Sequence, residues 1–184
     1  MTHVESILWR RLDRPGHDIC RLVGTENGWR LHGTSVFLHE AGPAQLTYDV
    51  RADSRWHTRH AQLDGRVDDQ AVRIRVRRLR SSWEVNGDVS DTARQCLDLD
   101  LGFTPATNLL QLRRIALEIG EAAEVQAAWL DVPAGSLEVL TQRYERRTAT
   151  TYWYEAPRFE YAALLEVSTA GFPRRYPGLW EEEG

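Results

Sequence analysis

The chain has 184 residues, 42% hydrophobic and 27% charged, the composition of a globular protein long enough to bury a substantial core in one domain. A net charge of −4 argues against a general attraction to nucleic acid or to anionic membranes. No window approaches the roughly 18 continuous apolar residues of a spanning helix. The amino terminus, MTHVESILWRRLDRPGHD, lacks the long apolar run and cleavage site of a secretory signal, so a soluble, cytoplasmic protein is expected.

Taken in chain order, period-2 alternation dominates. Leu46, Tyr48 and Val50 alternate with polar neighbours, and Val72, Ile74 and Val76 alternate with Arg73, Arg75 and Arg77. The same pattern recurs at Leu97, Leu99 and Leu101, at Ile115, Leu117 and Ile119, and from Phe159 to Val167. Turn signals fall at Glu26-Asn27-Gly28, Ala41-Gly42-Pro43, Leu63-Asp64-Gly65, Asn86-Gly87, Pro133-Ala134-Gly135 and Pro177-Gly178. Short strands with such punctuation predict an all-β fold, an antiparallel sandwich or barrel rather than βαβ units, with at most one or two short helices. Ser90 to Gln95 reads as a helical turn or a loop. Residues 109–119 fit either a strand with a bulge at Arg113-Arg114 or a helix stopped at Gly120; the strand is the preferred reading.

The densest chemistry lies in Cys96–Arg114, CLDLDLGFTPATNLLQLRR, read as a hairpin whose first strand is half-buried. Asp98 and Asp100, two residues apart on one strand, project to one face about 7 Å apart. Partnership with arginine, either Arg113 and Arg114 or the row at 73, 75 and 77, is their expected use. Acid–base chemistry by the aspartate pair is the alternative reading, as a small barrel hydrolase or isomerase. A raised carboxyl pKa facing a roomy pocket would favour that enzyme, and two aspartates locked to arginines would favour a binder. All 23 basic residues are arginine, the residue suited to planar, bidentate contacts, although codon bias also accounts for it. The arginine row itself reads as a solvated strand face paired with acidic neighbours.

Seven tryptophans are spread along the chain, most of them expected to fill the core. Trp56 and Trp129 stand out, each placed on a strand beside polar neighbours, as flat faces for an amphipathic ligand. The six histidines all precede residue 61, and His57 and His60 would diverge on a strand, so no metal is expected. Cys20 and Cys96 form no metal or disulfide pattern. His17, Asp18 and Cys20 are neighbours on one strand that would not converge as a triad. No nucleophile elbow, dinucleotide fingerprint or phosphate loop occurs, and no cofactor is expected.

Several of these stretches carry a family resemblance. CLDLDLGFTPATNLLQLRR, with LTYDVRADSRWHTR at 46–59, SSWEVNGD at 81–88, AAWL at 127–130, QRYERR at 142–147 and YPGLW at 176–180, resembles the bacterial family of putative glycolipid-binding proteins, formerly a domain of unknown function. The resemblance spans about residues 17–180. It implies an all-β fold, a curved antiparallel sheet closing toward a barrel, likened to periplasmic carriers of lipoproteins and lipids, and a ligand that is a glycolipid or related lipid. By position it points to Trp56, Thr58, Arg59, Asp98, Asp100, Thr104, Thr107, Asn108, Arg113, Arg114, Gln142, Tyr144 and Tyr176, to which Trp129 is added from its own setting. In the resulting expectation, aromatic and apolar walls bury hydrocarbon. Arg59, Arg113 and Arg114 meet the head group, with Asp98, Asp100 and Asn108 orienting them or accepting hydroxyls.

Overall fold

A computed structural model describes residues 2–184. The chain begins as a meander of long strands: β1 (Thr2–Arg11), β2 (Gly16–Thr25), β3 (Gly28–His39), β4 (Gly42–Asp53), β5 (Thr58–Val67) and β6 (Gln70–Arg78). Two short strands, β7 (Trp83–Val85) and β8 (Asp88–Ser90), finish this arm. After β9 (Asp98–Leu101) the only α-helix among the described residues, α1 (Asn108–Ile115), leads into a second meander. That arm comprises β10 (Ala122–Leu130), β11 (Leu137–Arg146), β12 (Thr151–Ala156), β13 (Tyr161–Val167), β14 (Pro173–Tyr176) and β15 (Trp180–Glu182). A 3₁₀ turn, Pro157–Phe159, joins β12 to β13.

All fifteen strands form one sheet, ordered from β8 back to β1, across to β15, then back through β10 to β9. Every pairing is antiparallel except that of β9 with β10. The sheet is curled and does not close by a ladder. Its β9 edge meets the start of β5 at a seam made by one residue: Thr58 N–H donates to Leu97 O, and Leu99 N–H donates to Thr58 Oγ1, both at 3.0 Å. Alternation decides which side chains face inward. In β2 to β6 these include Leu22, Leu31, Leu46, Tyr48, Val50, Leu63, Val72, Ile74 and Val76, all buried, while Ile19 and Val36 between them face out.

Four details differ from the sequence reading. First, residues 108–115 are helical and 117–119 are loop. The parity switch at Arg113-Arg114 is a 3.6-residue period, and Asn108 and Gln111, three apart, reach the same tyrosine hydroxyl. The helix stops at Ala116, whose φ is 45°, rather than at Gly120, and Arg113 and Arg114 lie in its last turn, where its dipole favours them. Second, the stretch from Cys96 is therefore strand–turn–helix, not a hairpin. Its strand is buried on both faces, because the β9 edge lies against Thr58 and its aspartates lie against other elements. Third, Leu63-Asp64-Gly65 is no turn: the inward parity of Ala61 and Leu63 continues through Gly65 to Val67, and the chain turns at Asp68-Asp69. Fourth, Trp56 is not on a strand but in the β4–β5 connection, at φ 68°, and Phe159 belongs to the 3₁₀ turn. Of Ser90 to Gln95, Ser90 ends β8 and residues 92–95 form a turn.

Candidate functional site

The second arm carries polar residues where the first carries aliphatics. Asp98 and Asp100 of β9, Asn108 and Gln111 of α1, Gln142 and Tyr144 of β11, Tyr154 of β12 and Tyr176 of β14 are all buried. Asp98 is sealed: Arg114 Nε donates to both of its carboxylate oxygens at 3.1 and 2.9 Å, and Nη2 donates at 2.6 Å. Burial still pushes its pKa up, outweighing the guanidinium. Asp100 has no arginine. Gln142 Nε2 donates to Asp100 Oδ2 and to the Tyr154 hydroxyl, both at 2.9 Å. Burial pushes the Asp100 carboxyl up to about 6, against the Gln142 amide. One layer deeper, Asn108 Nδ2 donates to the Tyr144 hydroxyl at 2.8 Å, and that hydroxyl donates to Gln111 Oε1 at 2.7 Å.

These groups border a cavity of about 520 Å³, lined by Asp100, Thr104, Asn108, Trp129, Gln142 and Tyr176 among the expected residues. Apolar walls come from Leu140, Ala156, Tyr161, Leu179 and Trp180, with Phe159 at the mouth. The Trp129 indole lies over Gly102, where the absence of a Cβ makes room for its Nε1 edge. Gln142 Oε1 is buried and has no hydrogen-bond partner.

The remaining expected residues lie elsewhere. Tyr144 stands behind the cavity wall, tied to it through Asn108. Thr58 is the seam residue, and Thr107 Oγ1 accepts from Leu101 N–H at 3.1 Å. Arg59 is exposed and pairs with Asp53 at 2.6 Å. Trp56 stacks on Trp29 with ring centroids 4.2 Å apart, and Arg113 lies over it at 5.1 Å. Arg113 borders a separate hollow beside Ala116 and Gly171. Arg114 is committed to Asp98. Of the paired aspartates, only Asp100 lines the cavity, and Asp98 is held by Arg114 outside it. Arg73 and Arg77 are exposed and pair with Asp64 at 3.4 Å and Glu84 at 2.6 Å. Among the described residues no cluster of three or more His, Cys, Asp or Glu could hold a metal, and no helix is long and apolar enough to cross a membrane.

Sequence reading missed a second polar cluster inside the first arm. Asp18 is buried, and the Tyr48 hydroxyl donates to its Oδ1 at 2.7 Å. Tyr48 reaches it across Gly33, its partner in the β3–β4 register. Burial pushes the Asp18 carboxyl up to about 7, against the Tyr48 hydrogen bond, and its Oδ2 has no partner. Thr104 Oγ1, 3.3 Å from the Tyr48 hydroxyl, links this cluster to the cavity wall. Shared inward parity with Cys20 and Leu22 was the available signal for Asp18. Tyr154 was marked in the same way by parity with Tyr152 in TYWYEA.

Residues 6–182 match the family described as putative glycolipid-binding. A crystal structure of a DUF1089 family protein from Pseudomonas aeruginosa is similar at 28% identity and a TM-score of 0.78, over 89% of this chain and 91% of that one. No curated protein matches the chain.

Proposed function

We propose that this chain, which belongs to the putative glycolipid-binding family, binds an amphipathic lipid non-covalently in the Trp129–Gln142 cavity. One observation carries this reading: a hollow of about 520 Å³ combines apolar and aromatic walls with buried, incompletely paired polar groups. A volume of that order is ordinary for a small-molecule site. A core meant only to pack would not leave a space of this size, and here an unpartnered oxygen, Gln142 Oε1, belongs to a residue of its wall. Hydrocarbon against Leu140, Leu179 and the ring of Trp129 would gain about 0.8 kcal/mol per buried CH₂. Asp100, Asn108 and Gln142 would contact the polar head. The Arg114–Asp98 pair holds β9 and the end of α1 in place beneath the site. Native mass spectrometry of freshly purified protein, followed by solvent extraction, tests the reading. A retained lipid, or saturable uptake of an added glycolipid that is lost when Leu140 becomes Trp and fills the hollow, is the expected result. A ligand-free protein that takes up no amphiphile would overturn it.

A further inference from the structure

The cavity is graded from its mouth inward. Phe159 is 50% exposed, and Trp129, Tyr161 and Leu179 are half-buried, whereas Asp100 and Gln142 are 6% and 1% exposed. The exposed wall is largely aromatic, and the buried wall sets the polar Asp100 and Gln142 beside Leu140, Ala156 and Trp180, so hydrogen-bonding groups are available at depth.

Valence sets what the deep part lacks. Gln142 has two amide hydrogens, given to Asp100 Oδ2 and to the Tyr154 hydroxyl, while its Oε1 has no partner. Asp100 is a carboxylate with no cation on it. These two groups, which line the cavity, call for hydrogen-bond donors; the unpaired donor Gln111 Nε2 is not part of the lining. A sugar or polyol hydroxyl supplies a donor without charge. A phosphate, sulfate or carboxylate head brings further acceptors and places like charge beside Asp100 in a water-poor site.

The rim offers little to an anion either. Arg11 Nε donates to Asp13 Oδ1 at 2.7 Å, and the Arg11 guanidinium lies 5.2 and 5.1 Å from the rings of Phe37 and Trp180. Arg14 Nε donates to the same carboxylate at 3.1 Å, and Glu40 adds a negative charge at the mouth. Arg158, over Trp129 at 4.9 Å, is paired with Glu138.

We infer that the cavity takes its ligand head-first and selects a neutral, hydroxyl-bearing head over an anionic one, the alkyl chain trailing out between Trp129 and Phe159. This rests on the binding reading above and adds the head-group class and the orientation. The test uses amphiphiles with one octyl chain and different heads, octyl glucoside and octyl phosphate. Each is titrated below its micelle concentration at pH 8 by tryptophan fluorescence and calorimetry. Octyl glucoside is expected to bind at least about tenfold more tightly than octyl phosphate in the unmodified protein. Gln142→Leu is expected to cost the glucoside about tenfold and leave the phosphate unchanged. Asp100→Asn is expected to narrow the gap between the two from the phosphate side. Equal or tighter binding of octyl phosphate by the unmodified protein, or glucoside affinity untouched in folded Gln142→Leu, overturns the inference while the lipid cavity stands. Binding of neither compound, with no retained lipid, removes the cavity reading along with it.

Discussion

The two arms of the curled sheet use their interiors differently. From β2 to β6 the inward positions are almost uniformly aliphatic or aromatic, with Asp18 as the main interruption. From β9 to β14 the same kind of position holds Asp98, Asp100, Gln142, Tyr144, Tyr154 and Tyr176, and the helix adds Asn108 and Gln111. Both arms are sheet, with the same pleat and alternation, so the contrast is not one of fold. Buried polar groups are costly unless paired, and most of those in the second arm pair with one another, while Gln142 Oε1 does not. The cavity proposed for the ligand draws its buried polar wall from the second arm, and the first supplies the apolar framework.

That contrast can be broken at its strongest point by Arg114→Ala. The substitution strands the Asp98 carboxylate without a cation, and a loss of about 3–5 kcal/mol is expected in chemical denaturation. A loss below about 1 kcal/mol would mean that the polar arm does not depend on its sealed pair.

The scaffold arm is probed through Asp18. Its carboxyl titrates near 3.8 when exposed and near 7 in the folded protein. Between those values the native state holds a proton that the unfolded chain has released, so this group's contribution falls as pH rises through the window and stays low above it. The wild type is expected to lose on the order of 3 kcal/mol of stability from this group between pH 4 and pH 8. Asp18→Asn should flatten that slope, and an unchanged slope in folded Asp18→Asn would sink the assignment.

Where the arms meet, Thr58→Val leaves Leu99 N–H without its acceptor, and about 1–2 kcal/mol should be lost with β9 exchanging amide protons faster. Smallest of all is Arg59→Ala. Its exposed pair with Asp53 is worth under about 1 kcal/mol, and lipid binding should not change.

The first arm was the more legible of the two, for a physical reason. Alternation at Leu46–Val50 and Val72–Val76 reports one wet face and one dry face, and a sheet with that arrangement writes itself into the order of residues. Around the site the two faces no longer differ in the usual way. Asp98 and Asp100 look outward by composition yet are buried, because Arg114 and Gln142 come to them from other elements. Family resemblance located five of the cavity residues, including Asn108 and Gln142, and the setting of Trp129 added a sixth. The resemblance could not separate the lining from the residues that brace it, such as Thr107 and Arg114, since both are polar and both are required. Asp18 lay in plain view beside Cys20, but its relevance depends on Tyr48 crossing Gly33 from two strands away.

The glycine beneath Trp129 sets the width of the doorway. The indole rests where a methyl group at residue 102 would stand, so the opening is gauged by the smallest increment that protein chemistry offers. Alanine there would push the ring aside while every deep contact stays in place. If the proposed lipid binds there, such a change would tune how fast it comes and goes without altering which lipid is held.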